Sequence, residues 1–305
     1  MAMTISSRVT NTGMMTKAIG DLQRGLSNSQ KLQQQISSGK LLNKPSDSPT
    51  GTVTSLQLRG EVRATQQYSR NSSDGLGWLG TIQDTLGDAS SEIIRVRDLT
   101  VQALNTANDT GSRQALVDEI DNIRGQLMSQ ANAKYMDRPV FGGTTPGSTS
   151  YSMDDSTGTV TFTGNQNQTT RTVGPNAKVR IEVSGPEAFG TPGTDTELFG
   201  LLQKISDNIK SNDSTSLDQN LQNLDSAHDL LKSALSDVGA RYNRIEQMKQ
   251  SADDHLLSVS SQLSDIEDVD LPKAIMELQI QQTSYQAALA ATAKVIQPSL
   301  IDFLR

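Results

Sequence analysis

Gly75-Leu-Gly77-Trp-Leu-Gly80 has the spacing of the glycine turn that brings a backbone against a dinucleotide pyrophosphate. That chemistry needs a buried strand just upstream, so that a helix N-terminus meets the phosphates. Upstream stand Gln66-Gln67-Tyr68-Ser69-Arg70-Asn71-Ser72-Ser73-Asp74, which cannot be such a strand. The glycines are expected instead to permit close packing at a helix junction. The two histidines, His228 and His255, lie 27 residues apart. Zinc needs three or four ligands at matched spacing, and without cysteine there is no thiolate to supply them. Both histidines are therefore read as structural. Asp154 and Asp155 before Gly158 hint at calcium, but the loop's closing bidentate Glu is missing, so they are read as turn residues. Asp253-Asp254 is read as a solvated helix face, and no Ser-His-Asp order is visible. These residues give no expectation of an enzyme, a cofactor or a metal site.

The elements around them give a stronger signal. Leu217, Leu221, Leu224, His228, Leu231, Leu235, Val238, Tyr242, Ile245, Lys249, Ala252, Leu256, Val259, Leu263 and Ile266 follow an unbroken 4-3 alternation. A repeat averaging about 3.5 residues holds one seam of a long helix against a neighbour. At about 1.5 Å per residue, a helix from 217 to 266 is roughly 75 Å long. Lys249 either sets register within the seam or snorkels outwards. A second strong pattern runs through Leu79, Ile82, Leu86, Ala89, Ile93 and Val96, and a third through Leu116, Ile120, Ile123 and Leu127.

Composition agrees with a seam-built protein. Of 305 residues, 34 % are hydrophobic and only 4 % aromatic, so the core must consist of thin aliphatic seams. The net charge of −7 gives no reason to expect nucleic acid or an anionic membrane as partner. No apolar run approaches the roughly 18 residues of a spanning helix. Residues 1–17 lack the order of a signal peptide, which leaves a cytoplasmic protein or one exported without a cleaved leader.

Between Pro139 and Thr196 the character changes. Five of the nine prolines fall here, with abundant Gly, Thr and Ser. Alternating runs at 159–163 and 178–183 predict strands. The fold class is therefore α+β: an elongated rod of long antiparallel, coiled-coil-like helices with a small β-rich insert. The expected segments are an N-terminal helix (1–42), a shaft (43–138), the insert (139–197), the returning shaft (198–268) and a C-terminal helix (269–305). The terminal seams are thin. One runs through Ile5, Val9, Ile19, Leu22, Leu26 and Ile36. The other runs through Leu271, Ile275, Leu278, Gln282, Tyr285, Leu289, Thr292, Ile296, Ser299 and Phe303, and Pro298 should kink or end it. Such helices are either poor surface helices or segments that stay loose until neighbouring copies bury them.

Several strings carry a resemblance. Gln35-Ile-Ser-Ser-Gly-Lys40 with Asn43-Lys-Pro-Ser-Asp-Ser-Pro49 resembles the N-terminal signature of the bacterial flagellin superfamily, in the form of its hook-associated branch. Asn71-Ser-Ser-Asp-Gly75 and Arg95-Val-Arg-Asp-Leu-Thr-Val-Gln-Ala103 are similar to its helical core segments, and Gln130-Ala-Asn-Ala-Lys134 with Phe141-Gly-Gly143 is similar to the segment before the outer domain in that hook-associated branch. Asp270-Leu-Pro-Lys-Ala-Ile-Met-Glu-Leu-Gln-Ile-Gln-Gln-Thr283 near the other end also resembles the superfamily. One departure is Arg138-Pro139-Val140, where an aromatic or aliphatic pair is usual. The resemblance implies a secreted structural subunit of the extracellular flagellum, exported by the type III route and joining the hook region to the filament. It also implies a ring of copies, with a neighbouring hook-associated protein, flagellin and a cytoplasmic chaperone of the C-terminal helix as partners. By residue type, Ile5, Val9, Ile19, Leu22, Leu26, Ile36, Leu278, Tyr285, Leu289, Ile296, Leu300 and Phe303 are the expected contact residues. The competing readings are a bulk filament subunit and a coiled-coil signalling or adhesin module.

Overall fold

The structure, a computed structural model, describes residues 11–105, 109–154 and 158–296; of Asn11, Thr12, Met14 and residues 294–296 it describes the backbone only. Seven helices and six short strands run in the order α1 (Asn11–Ser38), α2 (Pro49–Leu104), α3 (Thr110–Ala131), β1 (Lys134–Tyr135), β2 (Arg138–Pro139), β3 (Tyr151–Met153), β4 (Val160–Phe162), β5 (Thr170–Gly174), β6 (Ala177–Arg180), α4 (Gly185–Phe189), α5 (Leu198–Ser211), α6 (Ser214–Glu267) and α7 (Leu271–Ile296). Pro298 and the C-terminal seam beyond it, Ser299 and Phe303, lie outside the described residues. The chain divides into two compact units, Ala64–Leu256 and the two terminal segments Met1–Arg63 with Leu257–Arg305.

In the unit of residues 64–256, side-chain volume and helical period decide the packing. Leu79, Ile82, Leu86, Ala89, Ile93 and Val96 bury one stripe of α2. Polar cross-links fix its antiparallel register with α6. Ser69 Oγ donates to Asp253 Oδ1 at 2.7 Å, Ser90 Oγ lies 2.8 Å from His228 Nε2, and Arg97 Nε donates to Asp225 Oδ1 at 2.8 Å. Leu116, Ile120, Ile123 and Leu127 of α3 join the same core as Leu198, Leu202, Ile205 and Ile209 of α5. Helices α3 and α6 start on acidic caps. Asp109 accepts from the Ser112 amide and Asp213 from the Ser216 amide, which satisfies N–H groups left open in a first turn.

The insert contains three separate antiparallel hairpins, β1–β2, β3–β4 and β5–β6. The two predicted strands are there as β4 and β6. Of their partners, β3 alternates over only three residues, and β5 opens on the polar Thr170-Arg171-Thr172. Helix α4 was also not expected, because its Gly185-Pro186 start reads as a turn; proline is tolerated there since a first-turn N–H has no helical partner. The expectation of purely aliphatic seams fails locally. Four of the five phenylalanines, with Tyr151, gather into one cluster here. Its ring centroids lie 5.1 Å apart for Phe141–Phe189 and for Tyr151–Phe199. A low aromatic total says nothing of how the rings are distributed. The Phe141-Gly142-Gly143 string has a steric basis. Phe141 is buried in the cluster, and Gly143 takes φ +66° where a Cβ would stand 2.2 Å from the Asn165 carbonyl.

The glycine-rich string lies in the middle of α2, not at a helix junction, and its glycines serve packing. A Cβ on Gly77 would meet the Tyr135 hydroxyl at 2.4 Å, and one on Gly75 would meet Ile245 at 3.1 Å. Tyr135 in turn stacks edge-on to Trp78 at 5.7 Å, with the Arg138 guanidinium 5.5 Å above the indole. The departure at Arg138 thus forms a cation–π contact. Gly87, in the same helix, has open space around its Cβ position. Gly77→Ala should lower stability by about 1–3 kcal/mol through overpacking. Gly87→Ala should raise it by about 0.5–1 kcal/mol through helix propensity. Urea midpoints of the two variants check this, and equal midpoints would refute the packing role.

Candidate assembly surface

The two breaks that set off the terminal helices are joined to each other. α1 ends at Gly39, whose φ of +69° suits glycine at a helix C-terminus, and α6 ends at Glu267. Across the breaks, the Leu41 amide donates to the Glu267 carbonyl at 2.6 Å and the Val269 amide to the Gly39 carbonyl at 3.1 Å, around an antiparallel bridge of Lys40 with Asp268. Asn43-Lys-Pro-Ser-Asp-Ser-Pro49 builds the turn between α1 and α2. Asp47 Oδ2 accepts from the amides of Asn43 and Lys44, at 3.1 and 2.9 Å, and its other oxygen faces Lys31 Nζ at 3.2 Å. Ser48 Oγ then caps α2 by accepting from the Gly51 amide, with Pro49 at the first helical position.

Glu267 is the buried charge of this joint, only 2 % exposed. Arg59 grips it with two nitrogens at 2.6 and 2.7 Å, Lys40 Nζ lies 3.4 Å away, and Ser55 Oγ donates to it. Arg59's hydrogen bonding holds the Glu267 carboxyl below its ordinary range despite burial, and Lys40 does the same for Asp268. A carboxylate that is more acidic when folded stabilises fully above its unfolded value and loses that contribution as pH falls through the lowered one.

α1 and α7 pair antiparallel beyond the joint: Gln281 Nε2 donates to the Gly25 carbonyl at 3.2 Å, and a Cβ on Gly25 would touch Gln281 and Tyr285 at 3.4 Å. On each helix a central stripe is half-buried, Leu22, Ser29 and Ile36 on α1, Leu278, Tyr285 and Thr292 on α7. Those positions belong to both expected seams. The expected flanks do not. Ala18, Gly25 and Leu32, and Ala274 and Gln281, are the covered flanks, whereas Ile19, Leu26, Leu271, Ile275, Gln282 and Leu289 are exposed. Two flanks share each central stripe, so spacing alone could not choose between them.

The uncovered faces of both helices carry large apolar side chains. Met15, Ile19 and Leu26 on α1 and Leu271, Ile275, Met276, Ile280 and Leu289 on α7 stand in solvent, Ile280 by 60 %. Among the described residues, twelve of the sixteen large exposed apolar side chains belong to the terminal unit, which includes Leu41, Val53, Leu56 and Leu257. A soluble protein rarely leaves so much apolar surface together unless something covers it. Met276 and Ile280 were missed in the sequence because they lie off the seam; their signal was apolar type at i, i+4 on a helix already given a buried face. Ile5, Val9, Leu300 and Phe303 lie outside the described residues, as does the side chain of Ile296.

The residues first considered for chemistry belong to the other unit and not to this surface. His228 is half-buried against Ser90, and burial pushes its imidazole below the ordinary value. Asp225 is held by Arg97 and Asp229 by Lys232. Asp254 is exposed as expected, while Asp253, half-exposed, is bonded by both Ser69 and Lys249. Lys249 is half-buried, with its ammonium 3.3 Å from Asp253. His255 is exposed. Asp154 sits in the β3–β4 turn, and Asp155 lies outside the described residues. Among the described residues, no group of three or more His, Asp or Glu could hold a metal ion, and no helix is long and apolar enough to cross a membrane.

The helical segments at both ends match known family models. Residues 9–144 match the bacterial flagellin N-terminal helical region, and residues 221–304 the bacterial flagellin C-terminal helical region. The chain belongs to the bacterial flagellin family. Flagellin of Bacillus subtilis (strain 168) is 29 % identical over 303 residues, covering 92 % of this chain and 94 % of that one. Flagellar hook-associated protein 3 of Escherichia coli (strain K12) is 22 % identical over 294 residues, covering 88 % and 92 %. Among solved structures, the flagellar junction protein FlgL from Legionella pneumophila superposes with a TM-score of 0.59 at 16 % identity, covering 70 % of this chain and 99 % of its own. In this flagellin-family chain, the signature around residues 35–49 is the joint between the breaks.

Arg59→Ala should weaken that joint by about 1–2 kcal/mol, a moderate figure because Arg59 is itself half-exposed. The readout is faster hydrogen exchange at the Leu41 and Val269 amides. In the unaltered chain their protection should fall as pH drops below the ordinary glutamate value of 4.5. Glu267→Gln should flatten that acid dependence, and an unchanged profile would contradict the assignment.

Proposed function

We propose that this flagellin-family chain is a structural subunit at the junction of the flagellar hook region and the filament, assembling in a ring through α1 and α7. The observation that carries the assembly reading is the set of large apolar side chains that α1 and α7 leave exposed in the single chain. The likeness of fold to the Legionella junction protein, over nearly all of that chain, supports the junction position. So does the hook-associated form of the Lys44-Pro45-Ser46-Asp47 turn. Copies of the chain on one side and flagellin on the other are the partners this surface would serve. Leu289, Ile280 and the half-buried Tyr285 are the contact residues proposed from α7, and Ile19, Leu22 and Leu26 those from α1. An export chaperone would have to cover the same flank before secretion through the type III route. The protein would then work outside the cell.

A bulk filament subunit is the second reading, favoured by the 29 % identity to Bacillus subtilis flagellin over most of both chains. Abundance separates the two. A junction subunit should be a trace component of sheared filaments, and its deletion should leave hooks that shed flagellin into the medium. Dominance of this chain in the filament would overturn the junction reading. A paired substitution tests the surface itself. Ile280→Asp with Leu289→Asp should leave the helical circular dichroism and melting of the monomer unchanged while abolishing filament attachment. Motile cells with attached filaments carrying this variant would contradict the proposal.

A further inference from the structure

The turn of the β1–β2 hairpin carries two local costs at one residue. Met136 and Asp137 fill its two central positions, with φ of +49° and +61°. A two-residue turn of this kind needs φ above zero at both, which asparagine and glycine accept and a bulky side chain resists. Met136 is also 74 % exposed, more than any other large apolar side chain described in residues 64–256. The base below it is fixed, since Tyr135 packs edge-on against Trp78 and Arg138 lies over the same indole. A rigid hairpin thus presents a strained methionine to solvent, with the exposed Asp137 beside it. Backbone strain of this sort gathers where function uses the residue. Met153-Asp154 has the same residue types, but Met153 is 44 % exposed and its φ is not positive.

The terminal unit holds a notch of about 180 Å³ between the turn of residues 42–45 and the first turns of α2. Leu42, Pro45 and Leu56 supply its apolar wall, with Leu56 itself exposed. Lys44 and Arg59 bring two cations against one carboxylate, Glu267, which Arg59 already holds through Nε and Nη2. Such walls suit one slender apolar side chain with an acid next to it.

We infer that the Met136–Asp137 turn of one copy seats in this notch on a second copy. Met136 lies against Leu42, Pro45 and Leu56 there, and Asp137 faces Lys44 and Arg59. The inference rests on the assembly reading above and adds a contact that neither α1 nor α7 makes. Methionine's unbranched thioether adapts to an irregular wall. Tip and notch are different surfaces, so the contact is head-to-tail and each copy serves two neighbours, as a ring requires.

The chain has no cysteine, so Met136→Cys combined with Leu56→Cys introduces its only two thiols. Flagella isolated from cells making this variant, oxidised with diamide and run without reductant, should give dimers and higher multimers of the chain. Either single variant should stay monomeric. An internally linked monomer, or a double variant that enters flagella and stays unlinked, would overturn the inference and leave the assembly reading intact. Charge reversal tests the same pairing without thiols. Asp137→Lys and Lys44→Glu should each lower the amount of the chain retained in isolated flagella about tenfold, and together they should restore most of it. Losses that simply add would contradict the contact. Absence of the unaltered chain from flagella would defeat the assembly reading, and this inference with it.

Discussion

One face of α6 constrains most of what surrounds it. Leu217, Leu224, Leu231, Val238, Ile245, Ala252 and Val259 are all buried, the same position in seven successive heptads. The alternate positions, from Leu221 to Leu263, are half-buried throughout. A seam that keeps step for so long admits few registers, because a shift by one residue would turn its apolar side chains outwards. His228 and Lys249 occupy alternate positions and make polar bonds there without breaking the run. The opposing helix answers with large side chains at Leu79–Val96 and with small or polar ones at Thr65, Ser69 and Ser72. Ser69–Asp253 and Arg97–Asp225 then fix the register that nonspecific burial would leave loose.

The terminal unit is held by different means. α1 and α7 meet along the stripe of Leu22, Ile36, Leu278 and Tyr285, which is only half-buried, and through Gly25, Ala18, Ala274 and Gln281, which give close approach and add little apolar area. At roughly 25 cal/mol per Å² of apolar surface removed from water, such a contact contributes little, and larger side chains remain in solvent beside it. The joint below compensates with directed bonds. Glu267 draws Arg59, Lys40 and Ser55 together, and two backbone bonds tie the breaks. Polar geometry therefore positions the pair, and the apolar flank stays available to other chains.

What the sequence made legible follows from this division. Long strict seams state their own secondary structure and their buried face, so α6 and the Leu79–Val96 stripe of α2 could be read residue by residue. Of the short hairpins only β4 and β6 could be read; β3 is held by Asn132, which bonds to the Ser150 and Tyr151 backbone, and β5 by Asn71, whose amide donates to the Thr172 carbonyl. The aromatic cluster was hidden because its members lie far apart in the chain. On α1 and α7 the central stripe was readable and the flank was not. Leu271 and Ile275 look like core by type, yet Ala274 and Gln281 take the covered places because only small or flexible side chains let the two helices approach. The glycine string shows the reverse error of reading a motif without its context: Gly77 is needed by the Tyr135 ring and by no ligand.

Methionine oxidation in assembled flagella tests the central claim with residues the chain already has. Met15 and Met276 stand exposed on α1 and α7, whereas Met136 and Met153 stand exposed in the other unit. In the free monomer, peroxide should oxidise all four at comparable rates. In flagella isolated from cells, Met15 and Met276 should become protected while the monomer's own helices remain unchanged. Rates at Met15 and Met276 equal to those of the monomer would mean that the flank stays bare after assembly, and it would then not be the surface through which the subunits join.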